Sequence, residues 1–142
     1  MSSFDSSFAP PPAPLIPSSS NFSAMHTNKP KFTKGTVTVP TIDTTPTSAT
    51  LNASAGVITI STVDVVSSTP SKGVTISNSH VSGDSVVLLT INSYGGTVGT
   101  DGYPSVFATV PSAGGSFTLN VANEGVTVAA LSGNLVVSFV VV

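Results

Sequence analysis

Ser116-Phe117-Thr118-Leu119-Asn120-Val121 is the stretch on which the fold class turns. Apolar and polar side chains alternate in it with period two. An extended backbone therefore places Phe117, Leu119 and Val121 on one face and the hydroxyls and amide on the other. Ala113-Gly114-Gly115 before it and Asn123-Glu124-Gly125 after it are turn signals. The segment reads as a strand with one face in a core and the other in water. No 3.6-residue apolar period occurs anywhere in the chain, so helices are not expected.

The same texture extends in both directions. Candidate strands cover 35–39, 49–52, 57–66, 73–78, 85–92, 105–110, 116–122, 126–131 and 134–142, separated by Gly, Asn, Asp, Pro and Ser clusters. Turns every 8–12 residues are the pattern of a sandwich or barrel. The sequence predicts one all-β domain over residues 35–142, a single antiparallel β-sandwich of about eight strands, jelly-roll or Ig-like. Ser85-Val86-Val87-Leu88-Leu89-Thr90-Ile91 is apolar on both faces, which predicts a central strand covered on each side. The run Leu135 to Val142 is apolar nearly all round and carries no charge or Pro, so it must be paired centrally or covered by another subunit. Between Ile60 and Val63 the apolar phase shifts, which suggests a bulge or bend.

Composition agrees with the pattern. Ser (24), Thr (19) and Val (21) make up 64 of the 142 residues, and the β-branched types suit a pleated sheet. Charged residues are only 7% of the chain, with four Lys, no Arg and a formal net charge of -2. Phosphate neutralisation needs clustered cations, so nucleic-acid binding is not expected. The absence of Cys removes disulfides, thiolate metal sites and cysteine nucleophiles. No apolar run approaches the ~20 residues of a membrane span, and the Met1 end lacks a basic region followed by an apolar one, so neither a transmembrane segment nor a secretory signal is predicted.

Residues 1–34 differ from the rest. They hold Pro10, Pro11, Pro12, Pro14, Pro17 and Pro30 with a Ser run at 18–20, a composition that forms no packed core and favours extended polyproline II. Yet Phe4, Phe8, Leu15, Ile16, Phe22 and Phe32 are spaced along this arm. A segment serving only as a solvated spacer has no need of them, and the arm reads as a docking element whose apolar anchors enter grooves on a partner. Lys29, Lys31 and Lys34 cluster where it meets the domain. The arm thus carries three Lys against Asp5, and residues 35–142 carry Lys72 against four Asp and Glu124. Opposite signs favour an arm that reaches onto another copy or another acidic surface.

Catalytic patterns are weak. His26 lies in the arm, and His80 with Asp84 can be matched to any of 24 Ser, which makes a Ser-His-Asp reading uninformative. The five Asp are scattered singly, so neither a carboxylate pair nor a calcium loop is indicated. No catalytic, cofactor-binding or metal residues are expected. The Gly-rich loop 92–104 has no following helix or Lys to hold phosphate; its Tyr94 and Tyr103 are the only aromatic pair that could serve a sugar ligand.

Residues 74–142 also carry a resemblance. Val74-Thr75-Ile76-Ser77-Asn78-Ser79-His80-Val81, Asp84-Ser85-Val86-Val87-Leu88-Leu89-Thr90, Gly95-Gly96-Thr97 and Gly115-Ser116-Phe117-Thr118-Leu119, closed by a Val-rich strand, resemble small β-sandwich structural proteins of tailed phages and large DNA viruses. The resemblance implies a virion component, a minor capsid, cementing or decoration protein. Its partners would be the major capsid protein, other virion proteins and copies of itself. It would be made in the host cytoplasm and carried in the particle. The alternative is a receptor- or glycan-binding domain of a fibre or adhesin.

Overall fold

The computed structural model describes residues 32–42, 47–67, 71–125 and 129–142. These form eight strands: β1 (Lys34–Ile42), β2 (Thr47–Thr50), β3 (Ala55–Val63), β4 (Lys72–Ser77), β5 (Val87–Tyr94), β6 (Pro104–Thr109), β7 (Ser116–Asn123) and β8 (Leu135–Val141). Among the described residues there is no helix. The strands make two four-stranded sheets, ordered β1-β3-β8-β5 and β2-β4-β7-β6. The expected all-antiparallel pairing is corrected in both sheets: β1 with β3 and β2 with β4 are parallel, and the other pairs are antiparallel. Those two parallel pairs arise because β1, β2, β3 and β4 alternate between the sheets, so each returns beside the strand two places earlier. The compact unit spans Phe32–Val142.

Each strand turns one row of side chains inward. On β7, Phe117, Leu119 and Val121 are fully buried, as the alternation predicts. They meet Ile58, Ile60, Leu135, Val137 and Phe139 from the first sheet in one continuous core. The Phe117 and Phe139 rings join the two sheets, with centroids 5.4 Å apart and planes tilted by 43°. A buried Phe contributes about 1.5–3 kcal/mol, so this pair anchors the sandwich. Gly56 makes room for it. A Cβ there would collide with the Gly35 carbonyl and approach the Phe139 ring to 2.9 Å, so β1 and β3 lie together above that ring only without side chains at Gly56.

Two strand expectations are corrected. β5 is an edge strand and not a central one, since it pairs only with β8. Its second apolar row, with Leu88 at its centre, faces outward, and a run that is apolar on both faces does not say what covers the second. The segment 126–131 does not supply a strand at residues 129–131, and 126–128 lie outside the described residues. Leu131 is buried from a loop instead, where its N–H donates to the Val65 carbonyl at 2.9 Å. β8 is central, between β3 and β5. The apolar phase of β3 shifts after Ile60, where Ser61 and Thr62 are both exposed. That point is where β3 stops pairing with β8 at Leu135. An irregularity that the sequence did not signal lies between Ile91 and Ser93 of β5.

Two buried amides hold the loops. Asn123 uses all its capacity: its Nδ2 donates to the carbonyls of Val65 (3.0 Å) and Ala129 (2.8 Å), and its Oδ1 accepts from the N–H groups of Tyr103 (3.1 Å) and Gly125 (2.9 Å). Asn78 donates to the Ala53 carbonyl at 2.7 Å and accepts from the His80 N–H at 2.9 Å. Backbone groups in these connections have no ladder partner, and the amides satisfy them.

Candidate functional site

The outer faces of the two sheets are built differently. On the second sheet, Ser48, Thr50, Ser77 and Thr109 are exposed beside half-exposed Thr75, Thr118 and Asn120, and Phe107 is the one large exposed apolar side chain on the strands. On the first sheet the end where β3 begins is apolar. Leu88 pairs with Val140, and Val86 exchanges both backbone hydrogen bonds with Val142 at 2.8 and 2.9 Å. Residues directly opposite in a ladder point to the same side, so these four side chains form one patch. They are exposed by 56% (Val86), 58% (Leu88), 37% (Val140) and 72% (Val142).

Beside the patch is a shallow hollow of about 270 Å³, lined by Lys34, Ala55, Gly56, Val57, Ser138, Phe139 and Val140. The hollow has a simple origin. Lys34 pairs with Ala55, and Ala55 with Val140, so a methyl group stands between two larger side chains in one cross-strand row. Lys34 closes that row on the β1 side. On the β5 side the row ends at Leu88.

The sequence-derived site residues distribute unevenly. Phe4, Phe8, Leu15, Ile16, Phe22, Lys29 and Lys31 lie outside the described residues, as do His26 and Asp43. Phe32 is exposed, and Lys34 is the first residue of β1. The chain is tied to the domain just before that strand. The Ala55 N–H donates to the Thr33 carbonyl at 3.2 Å, Thr33 and Ser54 exchange side-chain contacts at 3.1–3.4 Å, and His80 Nε2 lies 3.3 Å from the Thr33 hydroxyl. His80 is exposed and is engaged there at the strand entry.

The two tyrosines of the Gly-rich loop have different surroundings. Tyr94 is half-buried; its hydroxyl donates to the Asp101 carbonyl at 2.9 Å and accepts from the Ser132 N–H at 3.0 Å. Tyr103 is exposed, with its hydroxyl over Gly99. The Asp101 carboxylate accepts the Thr97 N–H at 2.8 Å, which closes the loop on itself. Among the described residues no three His, Cys, Asp or Glu side chains come together as metal ligands. No helix among them is long and apolar enough to cross a membrane.

Sequence reasoning missed the exposed patch because it placed β5 at the centre of a sheet. The signal was available: Val86 and Leu88 share a parity with each other, as do Val140 and Val142. Comparison with protein-family models, with curated proteins and with solved structures finds no match to this chain.

Proposed function

We propose that this chain is a non-enzymatic structural protein of a virion, a minor capsid, cementing or decoration protein. In this reading the sandwich, of jelly-roll or Ig-like type, sits against major capsid subunits, and the arm of residues 1–34 staples it to neighbours. The observation that carries the reading is the apolar end of the first sheet, where four exposed aliphatic side chains adjoin, while the outer face of the second sheet is mostly Ser and Thr around Phe107. A free monomer gains nothing from four exposed aliphatic side chains in one patch, while a protein covered by neighbours does. The arm contributes by burial. Each Phe anchor supplies about 1.5–3 kcal/mol against roughly 1–2 kcal/mol per ordered backbone residue, so several anchors must act together.

The experiment is peptide mass spectrometry on purified particles from cultures that encode the chain, with the native sequence and with Phe4, Phe8 and Phe22 changed to Ser. The native chain is expected at a fixed copy ratio to the major capsid protein, and the variant is expected to be depleted although still folded. Particles that lack the native chain, or that take up the variant equally, refute the reading. The glycan- or receptor-binding alternative has the exposure of Tyr103 in its favour, but Tyr94, its other aromatic, spends its hydroxyl on the protein itself.

A further inference from the structure

We propose that β5 pairs edge to edge with β5 of a second copy of this chain, so that the first sheet continues across a two-fold axis at Leu89. The backbone decides which groups are available for this. Val86 and Val142 exchange both hydrogen bonds, and in an antiparallel ladder such pairs alternate with pairs that exchange none. Leu88 with Val140 and Thr90 with Ser138 are therefore bonded pairs, while Val87, Leu89 and Ile91 turn their N–H and C=O groups away from β8. The Val141 N–H has the matching phase, since it donates to the Ser54 carbonyl on the far side of β8 at 2.8 Å. β5 ends its sheet, so these outward groups stand along a free edge.

The other edge strands are blunted. β1 opens with Lys34 and contains Pro40, β2 has four residues, and β6 begins at Pro104. Lys, Pro and short length are the devices that keep sheet edges from pairing. β5 has eight residues without a charge or a Pro, and its irregularity after Ile91 leaves 87–91 regular. An open edge accepts an extended segment with the same spacing of free groups, and among the described residues β5 itself is the strand that presents one unblunted. With the axis at Leu89, Leu89 lies opposite Leu89, and Val87 opposite Ile91 of the second copy. Every outward group of the run is then used, in about six hydrogen bonds. The side chains match as well. Val87, Leu89 and Ile91 pack against the core but are only half-buried, and their symmetry mates continue the row and cover them. No charged side chain lies on the strand, so the axis brings no like charges together. The pairing uses the edge of the sheet and not its outer face, and it does not rest on a virion role.

Such a contact is small, so dissociation belongs in the micromolar range. Sedimentation velocity and hydrogen exchange on the full-length chain, over about 1–100 µM, read the association. The Val87, Leu89 and Ile91 amides are expected to exchange at least tenfold more slowly at the top of that range than at the bottom. The Thr90 amide, bonded to β8 in either state, is slow at both. Leu89→Pro removes an N–H that faces away from β8, so it keeps the bonds within the sheet and is expected to weaken association at least tenfold. The register is read by cross-linking, since the chain has no Cys of its own. Leu88 lies opposite Thr90 of the second copy in a pair with Cα atoms about 4.5 Å apart, which a disulfide spans. Both positions are exposed. An oxidised equimolar mixture of Leu88→Cys and Thr90→Cys chains is expected to give at least tenfold more disulfide-linked dimer than either chain alone. The cross-link leaves the edge backbone unchanged, so it decides the case whether or not Leu89→Pro folds. A native chain that stays monomeric at the highest concentration overturns the proposal. So does a dimer whose Val87, Leu89 and Ile91 amides exchange freely, or one indifferent to a folded Leu89→Pro. Cross-linking of Leu88→Cys to itself as readily as to Thr90→Cys overturns it too.

Discussion

Replacing Asn123 by Ala removes a single amide on which four backbone groups depend. Its two donor bonds reach Val65, in the link between β3 and β4, and Ala129, in the link between β7 and β8. Its oxygen holds the N–H groups of Tyr103, at the entrance to β6, and of buried Gly125. Each bond contributes about 1 kcal/mol net, and a buried donor left unpaired costs about 1–3 kcal/mol. The two N–H groups carry the greater penalty, because the freed carbonyls can turn to water more readily. Water can recover part of the loss on the loop side, which leaves an expected destabilisation of about 3 kcal/mol. With about 1.5 kcal/mol per molar urea for a domain of this size, the midpoint of unfolding falls by about 2 M, and Tm falls by about 15 °C. The measurement is a urea titration followed by far-ultraviolet circular dichroism, with Asn120→Ala as the control. Asn120 lies three residues earlier on the same strand, half exposed, and its amide makes only long bonds of 3.2–3.4 Å. The control should lose less than about 0.5 kcal/mol. If both variants unfold at the same midpoint, the argument that one buried amide ties three connections together is wrong.

Two further changes probe other parts of the sandwich. Gly56→Ala forces β1 or the Phe139 ring to move and should cost about 3 kcal/mol, read from the same titration; an unchanged midpoint means that the close approach of β1 and β3 over that ring is not a constraint. Tyr94→Phe removes one donor and one acceptor from the loop that closes on Ser132 and should cost about 1 kcal/mol, with faster hydrogen exchange at the Ser132 amide; unchanged exchange there dismisses the hydroxyl as a fastener.

The sequence was most legible where one strand buries one face. The period-two alternation of β7 needs no knowledge of any neighbour, and its inward residues are those expected. The uncharged, proline-free run of β8 likewise demanded a central place or a cover from another subunit, and it is central. β5 was misread for a physical reason: the pattern records that both faces avoid charge, but a single domain supplies a cover for only one. Leu131 was misread because an apolar residue held by a loop looks like one held by a strand. Asn78 and Asn123 could not be recognised at all. Their importance comes from backbone groups up to 58 positions away in the chain, and an isolated Asn at the end of a strand pattern reads as an ordinary strand-end or turn residue. Within the candidate site, the composition showed that the surface is poor in charge. Only the register of β5 against β8 and β8 against β3 gathers Val86, Leu88, Val140 and Val142 into one place beside the hollow.

The order of the strands also governs how the molecule must be assembled in time. Every link except the one between β6 and β7 passes from one sheet to the other, so nearly all pairing joins segments far apart along the chain. High contact order of this kind puts folding in the millisecond-to-second range. Among the described strands β8 comes latest in the chain, and it is the one that joins β3 to β5. Until it leaves the ribosome, the first sheet exists only as the β1-β3 pair and an unattached β5. The nascent chain therefore carries aliphatic segments with open hydrogen-bonding edges throughout translation, and its yield in a crowded cell depends on how quickly β8 docks once it emerges.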